Sequence, residues 1–325
     1  MKMYFQGKNM LISIIIPIFN EENNIDLYHK IITDSLSNAD FLFEVILVND
    51  GSTDSSQQKL NHLATQDNRF KIIEFRRNFG QTAAIMAGFD FASGEIVVPM
   101  DGDLQNDPND IPLLVDQIKK GYDVCSGWRK DRKDQVLNRK IPSWIANKLI
   151  STLSGVKLND YGCTLKAYKK EIIKGIRLYG EMHRFLPIHA SWQGAKIIEI
   201  PVTHHPRIHG KSKYGIERTF KVILDLMVVL FFSTVSNKPI YIFGGFGFIN
   251  IMLSFLSFFM MIYYKFWGGK TFIQTPLPQL VVLFFLMGFI SILMGFLAEI
   301  LMRTYYESQN KPIYIVKTLY NMDKQ

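Results

Sequence analysis

Glu95-Ile96-Val97-Val98-Pro99-Met100-Asp101-Gly102-Asp103-Leu104-Gln105 decides how the chain is read. The apolar run to Met100 has the length and composition of a buried strand, and polarity reverses abruptly at Asp101. Two carboxylates one residue apart therefore emerge together at a strand end, about a glycine that permits a tight turn. Carboxylates so spaced can share a hard divalent cation, with the side-chain oxygen of Gln105 as a neutral third ligand. The bland alternative for Asp101 and Asp103 is a solvated turn.

Outward from this stretch the chain alternates between two periods. Residues 11–16, 43–49, 70–75 and 124–127 read as further strands, and 24–37, 54–65, 82–92 and 111–119 as helices. Short apolar strands between helices predict an α/β domain whose mostly parallel sheet is covered on both faces. Ligands of such sheets bind beyond the carboxyl ends of the strands. Pro17, Asp50, Asp101 and Arg129 all stand at predicted strand ends and are expected to converge on one crevice. Asp50, in Val48-Asn49-Asp50-Gly51-Ser52-Thr53-Asp54, suits the ribose or base of a nucleotide; a turn and helix cap is its plainer reading. The chain has neither the G-x-G-x-x-G dinucleotide fingerprint nor the P-loop, so hydride-carrier and P-loop chemistry are disfavoured. Cys125 and Cys163 lack metal-ligand spacing and read as reduced thiols, and His204, His205 and His209 form no zinc pattern.

The C-terminal third is of another kind. Residues 239–264 and 271–298 carry no charge and exceed the ~20 residues a bilayer crossing takes. Ahead of them, 215–236 sets Arg218, Lys221 and Asp225 among apolar residues, the pattern of an interfacial helix rather than a span. Arg207, Lys211, Lys213, Arg218, Lys221 and Lys238 precede the spans, Arg303, Lys311, Lys317 and Lys324 follow them, and Lys265 and Lys270 lie between. This bias expects a two-span inner-membrane protein with its large domain and both termini cytoplasmic. The net charge of +8 suits an anionic partner, lipid or pyrophosphate, and the absence of any nucleic-acid-binding motif argues against DNA or RNA. Tyr4-Phe5-Gln6-Gly7 looks like the scar of a cleavable tag. The expected layout is a tag remnant at 1–9, a soluble domain at 10–214, an interfacial region at 215–238, two spans at 239–302 and a tail at 303–325.

Pro17-Ile18-Phe19-Asn20-Glu21-Glu22, the Asn49–Asp54 turn, Arg77-Asn78-Phe79-Gly80 and Met100–Gln105 together resemble the family 2 glycosyltransferases of GT-A fold. With Arg207-Ile208-His209-Gly210-Lys211-Ser212-Lys213-Tyr214 and the paired spans, the chain more closely resembles the polyprenyl-phosphate glycosyltransferases, dolichyl-phosphate mannose synthases and undecaprenyl-phosphate glucosyltransferases among them. The resemblance implies a nucleotide diphosphate sugar as donor, held by Pro17, Phe19, Glu21, Asp50, Asn78, Gly80, Gln81 and Asp101. It implies Mg²⁺ or Mn²⁺ on Asp101, Asp103 and Gln105, neutralising the leaving diphosphate. The acceptor phosphate falls to Arg129, Arg139, Arg207, Lys211, Ser212 and Lys213, with Lys140 nearby; a generic lipid-facing basic surface is the alternative. Asp160 joins Asp101 and Asp103 as a catalytic candidate, contacting sugar or acceptor. Some glucosyl-transferring relatives place an Asp directly after the glycine where Cys163 stands here, which counts against a general base and against glucose. His183-Arg184-Phe185 either faces the site or packs.

The activity so implied is inverting transfer of one hexose, glucose from UDP-glucose first, to undecaprenyl phosphate on the cytoplasmic leaflet. Mannose, an aminosugar or a modified arabinose on the same lipid is the alternative, as is an inactive membrane-anchored nucleotide-sugar-binding scaffold. A processive synthase is disfavoured, because no Q-x-x-R-W motif occurs and Trp192-Gln193 is no match. Should the spans do more than anchor, homo-oligomerisation or a downstream lipid flippase is the expected use.

Overall fold

The computed structural model describes residues 10–130, 147–148, 150–152, 154–176, 178, 182–206, 239–308 and 313–322. Arg139, Lys140, Arg207, Lys211, Ser212 and Lys213, the tag remnant and the 215–238 region lie outside the described residues. Among those described, eight strands form one sheet: β1 (Leu11–Ile18), β2 (Leu42–Asn49), β3 (Phe70–Phe75), β4 (Ile96–Pro99), β5 (Val124–Trp128), β6 (Lys166–Lys169), β7 (Ile197–Pro201) and β8 (Val316–Tyr320). Their order is β7-β5-β6-β4-β1-β2-β3-β8. β1 pairs parallel with β2 and β4, β2 with β3, and β5 with β7. β8 on β3, and β6 on both β4 and β5, are antiparallel.

Side chains alternate across the sheet, so β1 feeds two cores. Ile12, Ile14, Ile16 and Ile18 meet α1 (Ile25–Leu36), α2 (Ser56–Gln66) and α4 (Ile111–Lys119) on one face. Ile15, with Ile46 and Ile73, meets α3 (Gln81–Phe91) on the other, where α5 (Lys170–Ile173) and α6 (Leu186–Trp192) also pack. The double reversal through β6 leaves β5 running in the direction of β4. Arg129 therefore leaves the sheet at the same edge as Pro17, Asp50 and Asp101, as expected, although β6 stands between β4 and β5.

The expected strands fall on β1–β5. The other three carry a charge in every short run (Lys166 and Lys169, Glu199, Lys317), so no apolar stretch announces them. β8 corrects the reading of 303–325 as a tail: residues 316–320 are an edge strand of the sheet. Asn321 Nδ2 donates to the carbonyls of Ala64 (2.7 Å) and Phe70 (2.9 Å), and Tyr314 stacks on Phe75 at 5.2 Å. Contacts divide the chain into two compact units, one comprising residues 1–230 with 312–325 and the other 231–311.

The second unit is a helical pair, α7 (Pro239–Phe266) and α8 (Leu277–Ser308). The second apolar stretch becomes helical at Leu277 and not at 271, because Thr271 and Gln274 cap a separate turn at Phe272–Gln274. The apolar segments Phe243–Phe266 and Leu277–Ala298 are 24 and 22 residues long, enough to cross a membrane. Gly247 and Gly288 bring the helices together: a Cβ on either would lie 2.7 Å from the other's carbonyl oxygen. Asn250, Ser254 and Ser257 are buried, with Ser254 Oγ donating to the Val281 carbonyl at 2.8 Å, whereas Phe248, Phe259 and Leu297 are exposed.

Candidate active site

The acidic turn is held from three sides. Gly102 lies against the end of β1, where a Cβ would come 2.4 Å from the Pro17 carbonyl oxygen, so only glycine fits. Asn106 Oδ1 accepts from the Asp101 amide (2.8 Å), and Gln81 Nε2 donates to Asp101 Oδ1 (2.9 Å). From below, the fully buried Tyr28 accepts from the Leu104 amide (3.0 Å) and donates to the Asp101 carbonyl (3.3 Å). Leu104 sits at φ 59°, a conformation that needs such support. Burial first, and then the fields of Asp103, Glu21 and Asp101, hold the Tyr28 hydroxyl protonated. Tyr28→Phe keeps the ring and removes both bonds. Losing ~1 kcal/mol of hydrogen bonding should let the Leu104 amide exchange roughly fivefold faster, read by hydrogen–deuterium exchange, with melting little changed. An unchanged exchange rate would show that the turn stands without Tyr28.

Asp50 is engaged rather than open. Its two oxygens accept from the Phe79 (2.6 Å) and Gly80 (2.9 Å) amides, tying the 78–80 turn to the end of β2. Burial raises its pKa and those two amides oppose the rise. Gly51, at φ 68°, has no room for a side chain, since a Cβ would lie 2.4 Å from the Arg77 carbonyl carbon. Glu21 accepts from Asn24 Nδ2 (2.7 Å), and the 20–22 turn is laced to the next strand end through Ser52, Asp54 and Ser56. Asn78 is exposed, and Gln81 contacts Asp101. Gln105 Nε2 donates to the His205 carbonyl (3.3 Å), while its own carbonyl accepts from the His205 amide (2.9 Å).

Across the crevice, Asp160 is the partner of Arg129. Arg129 Nε and Nη2 donate to its two oxygens at 2.7 and 2.9 Å, and both side chains are about nine-tenths buried. Burial opposes the guanidinium charge, but the Asp160 carboxylate more than offsets it and raises the Arg129 pKa. The loop carrying Asp160 is fixed from β7, where Glu199 accepts from the Asn159 and Asp160 amides. Lys166, buried at the start of β6, donates to the carbonyls of Tyr161 and Cys163. Burial pushes the Cys163 thiol to about 11 and Cys125 to about 12, so neither is a nucleophile at neutral pH.

Sequence reasoning missed Tyr28, Asn106, Lys166 and Glu199. Lys166 had a signal: one lysine inside the strand-like Leu165-Lys166-Ala167-Tyr168 is a buried charge in search of partners. The other three are ordinary residues of a helix, a loop and an edge strand, and only contacts reveal them.

Paired acidic residues and a buried Arg–Asp pair at one end of the strands mark an α/β domain with a strand-end ligand site. Residues 13–177 match Glycosyl transferase family 2. The chain belongs to this family. It is 42% identical over 98% of its length, and 95% of the relative's, to dodecaprenyl-phosphate galacturonate synthase of Rhizobium johnstonii. It is 33% identical over 95% of its length, and 94% of the relative's, to undecaprenyl-phosphate 4-deoxy-4-formamido-L-arabinose transferase of Edwardsiella ictaluri. In fold it is similar to the GT-A enzyme glucosyl-3-phosphoglycerate synthase of Mycobacterium tuberculosis, solved with Mn²⁺, UDP and phosphoglyceric acid (TM-score 0.54, 18% identity, covering 68% of this chain and 78% of that one). The chain is thus a glycosyltransferase of the polyprenyl-phosphate sugar transferase group, and the scaffold reading is set aside.

Proposed function

We propose that the protein transfers a single sugar from a nucleoside diphosphate to the phosphate of a polyprenyl lipid at the cytoplasmic membrane face. The observation that carries this is the placement of Asp101 and Arg129 at the same end of the sheet, close enough for the Asp101 charge to act on Arg129, in a chain that also holds two membrane-length helices. Glu21, Asp50 and the 78–80 turn serve the nucleotide, Asp50 by shaping that turn through its amides. Asp101 and Asp103 stand one residue apart in the turn, and no group of three or more His, Cys, Asp or Glu gathers among the described residues. That donor set fits a divalent ion completed by the donor's own diphosphate and water, and Asp101 Oδ2 makes no hydrogen bond among the described residues. Mg²⁺ or Mn²⁺ held there by Asp101 and Asp103 would neutralise the leaving diphosphate. Gln105, whose Nε2 donates to the His205 carbonyl, is assigned as the neutral third ligand through its side-chain oxygen.

A phosphate monoester, with its second pKa near ~6, is already mostly dianionic at neutral pH and needs no strong base. Asp160, committed to Arg129 through both oxygens, accordingly orients that arginine. The segment through Pro206 runs beside the acidic turn, with Asp107 accepting from His205 at 3.0 Å, and the basic 207–213 stretch follows directly in sequence. Arg207, Lys211, Ser212 and Lys213, with Arg139, are assigned to the acceptor phosphate or its lipid surroundings.

The return of the chain to the sheet at β8 supports the topology. One folded unit contains strands from before and after the two apolar helices, and a folded unit cannot straddle a bilayer. This favours an even number of crossings, with residues 10–206 and 313–322 on one side. For the sugar, glucose is the first expectation from sequence, whereas galacturonate and formamido-arabinose are named in the relatives. Purified full-length protein with undecaprenyl phosphate, Mg²⁺ or Mn²⁺ and a panel of nucleotide sugars tests the reading. One donor should give a chloroform-soluble glycolipid at least tenfold faster than the rest. No lipid product from any donor would overturn it.

A further inference from the structure

The loop entering β6 passes two guanidinium groups at Gly162. A Cβ there would lie 3.1 Å from Arg129 Nη2, 3.5 Å from Asp160 Oδ1 and 4.0 Å from Arg184 Nη1, so the missing side chain lets both guanidinium groups come close to the same point of the loop. Arg129 cannot drift, because Asp160 holds Nε and Nη2; its Nη1 makes no hydrogen bond among the described residues. Arg184 is placed independently, from the turn at Met182–Phe185. There the neighbouring His183 is buried and hydrogen-bonded through Nδ1 to Thr82 Oγ1 at 2.7 Å. Thr82 follows Gln81, whose amide holds Asp101, so a chain of contacts links Arg184 to the acidic turn. Lys166, spent on the loop carbonyls, keeps the loop in shape.

We infer that Arg184 and Arg129, facing one another across Gly162, form the seat of the phosphate monoester that accepts the sugar. The inference rests on the transfer proposed above and adds Arg184 as a binding residue with Gly162 as its required gap. Two guanidinium forks converging on one point suit an anion with several equivalent oxygens, such as a phosphate monoester, better than a sugar hydroxyl. The donor's diphosphate shares that chemistry, and the two sources separate by experiment.

In full-length protein, Arg184→Gln should raise the KM for a short, water-soluble prenyl phosphate about tenfold or more, the cost of one charge-assisted contact. UDP binding by calorimetry should stay within about twofold. Arg184→Lys should recover part of the loss, since it restores charge without the fork. Gly162→Ala, whose methyl displaces Arg129 Nη2 by a few tenths of an ångström, should raise the acceptor KM in the same direction while leaving the melting temperature within a few degrees. An unchanged acceptor KM in Arg184→Gln overturns the assignment, as does a loss of UDP binding by the same factor, which moves the pair to the donor. Direct binding keeps the inference separate from the proposed reaction. If the wild type prefers prenyl phosphate to the unphosphorylated prenol, and Arg184→Gln abolishes that preference, the seat stands even if no sugar is transferred.

Discussion

Asp101→Asn and Asp103→Asn are each expected to lower turnover by about two to three orders of magnitude, the scale on which one preorganised charge-stabilising contact acts. Asparagine preserves size, and at 101 it can still accept from Gln81 through its amide oxygen, so the turn and the fold should survive. What is lost is one negative charge where a divalent ion has to be held against a leaving diphosphate. Mn²⁺ binding followed by electron paramagnetic resonance should weaken in step with turnover, and EDTA should abolish wild-type activity until metal is restored. Full activity of either variant, or of the wild type in EDTA, would remove the metal from the mechanism.

Truncation after Ser236 is expected to cripple the soluble domain itself, although every residue assigned above to the nucleotide remains. The cut removes β8 and with it the Tyr314 ring stacked on Phe75, the Tyr314 hydroxyl bond to Asp90 (2.9 Å), and the Lys317 and Thr318 contacts with Glu74. β3 becomes an unprotected edge beside newly exposed apolar surface, the arrangement that invites aggregation. Uncovering the apolar surface of two or three large side chains costs roughly 3–5 kcal/mol, or on the order of 10 °C in melting temperature. A variant that deletes 231–311 but joins β8 through a flexible linker should keep both solubility and UDP binding. Equal melting temperatures for the two shortened proteins would show that β8 contributes nothing to the domain.

The difference between those two shortened proteins marks where sequence stopped being legible. β1, β4 and most of β2 are apolar runs because they are buried on both faces, and burial of that kind must be written into composition. β8 lies at an edge and carries lysine and threonine toward Glu74, so its residues look like those of a tail. Its strand character exists only because β3 offers an unpaired edge, more than 240 residues away in the chain. Asp101 and Asp103 were legible for the opposite reason: a carboxylate pair directly after a buried strand is a local signal that needs no partner to be noticed.

Asp160 and Asp50 show the same division within the site. A strand-end position placed Asp50 near the chemistry, because strand ends of an α/β sheet converge whatever the details of packing, and the family resemblance implied Asp160. It could not assign what their oxygens do, since hydrogen-bond capacity is spent on whichever group the fold brings closest. Asp160 is spent on Arg129 and Asp50 on two backbone amides. Composition and local pattern alone determined an α/β domain, an acidic strand-end turn and two membrane-length apolar segments. Only the tertiary structure decided that β6 reverses direction between β4 and β5, that Tyr28 and Lys166 brace the two loops of the crevice, and that the chain returns at β8 to close the sheet. Burial of long apolar runs is a local property of a chain, whereas the pairing of edges and the partners of buried polar groups depend on residues distant in sequence.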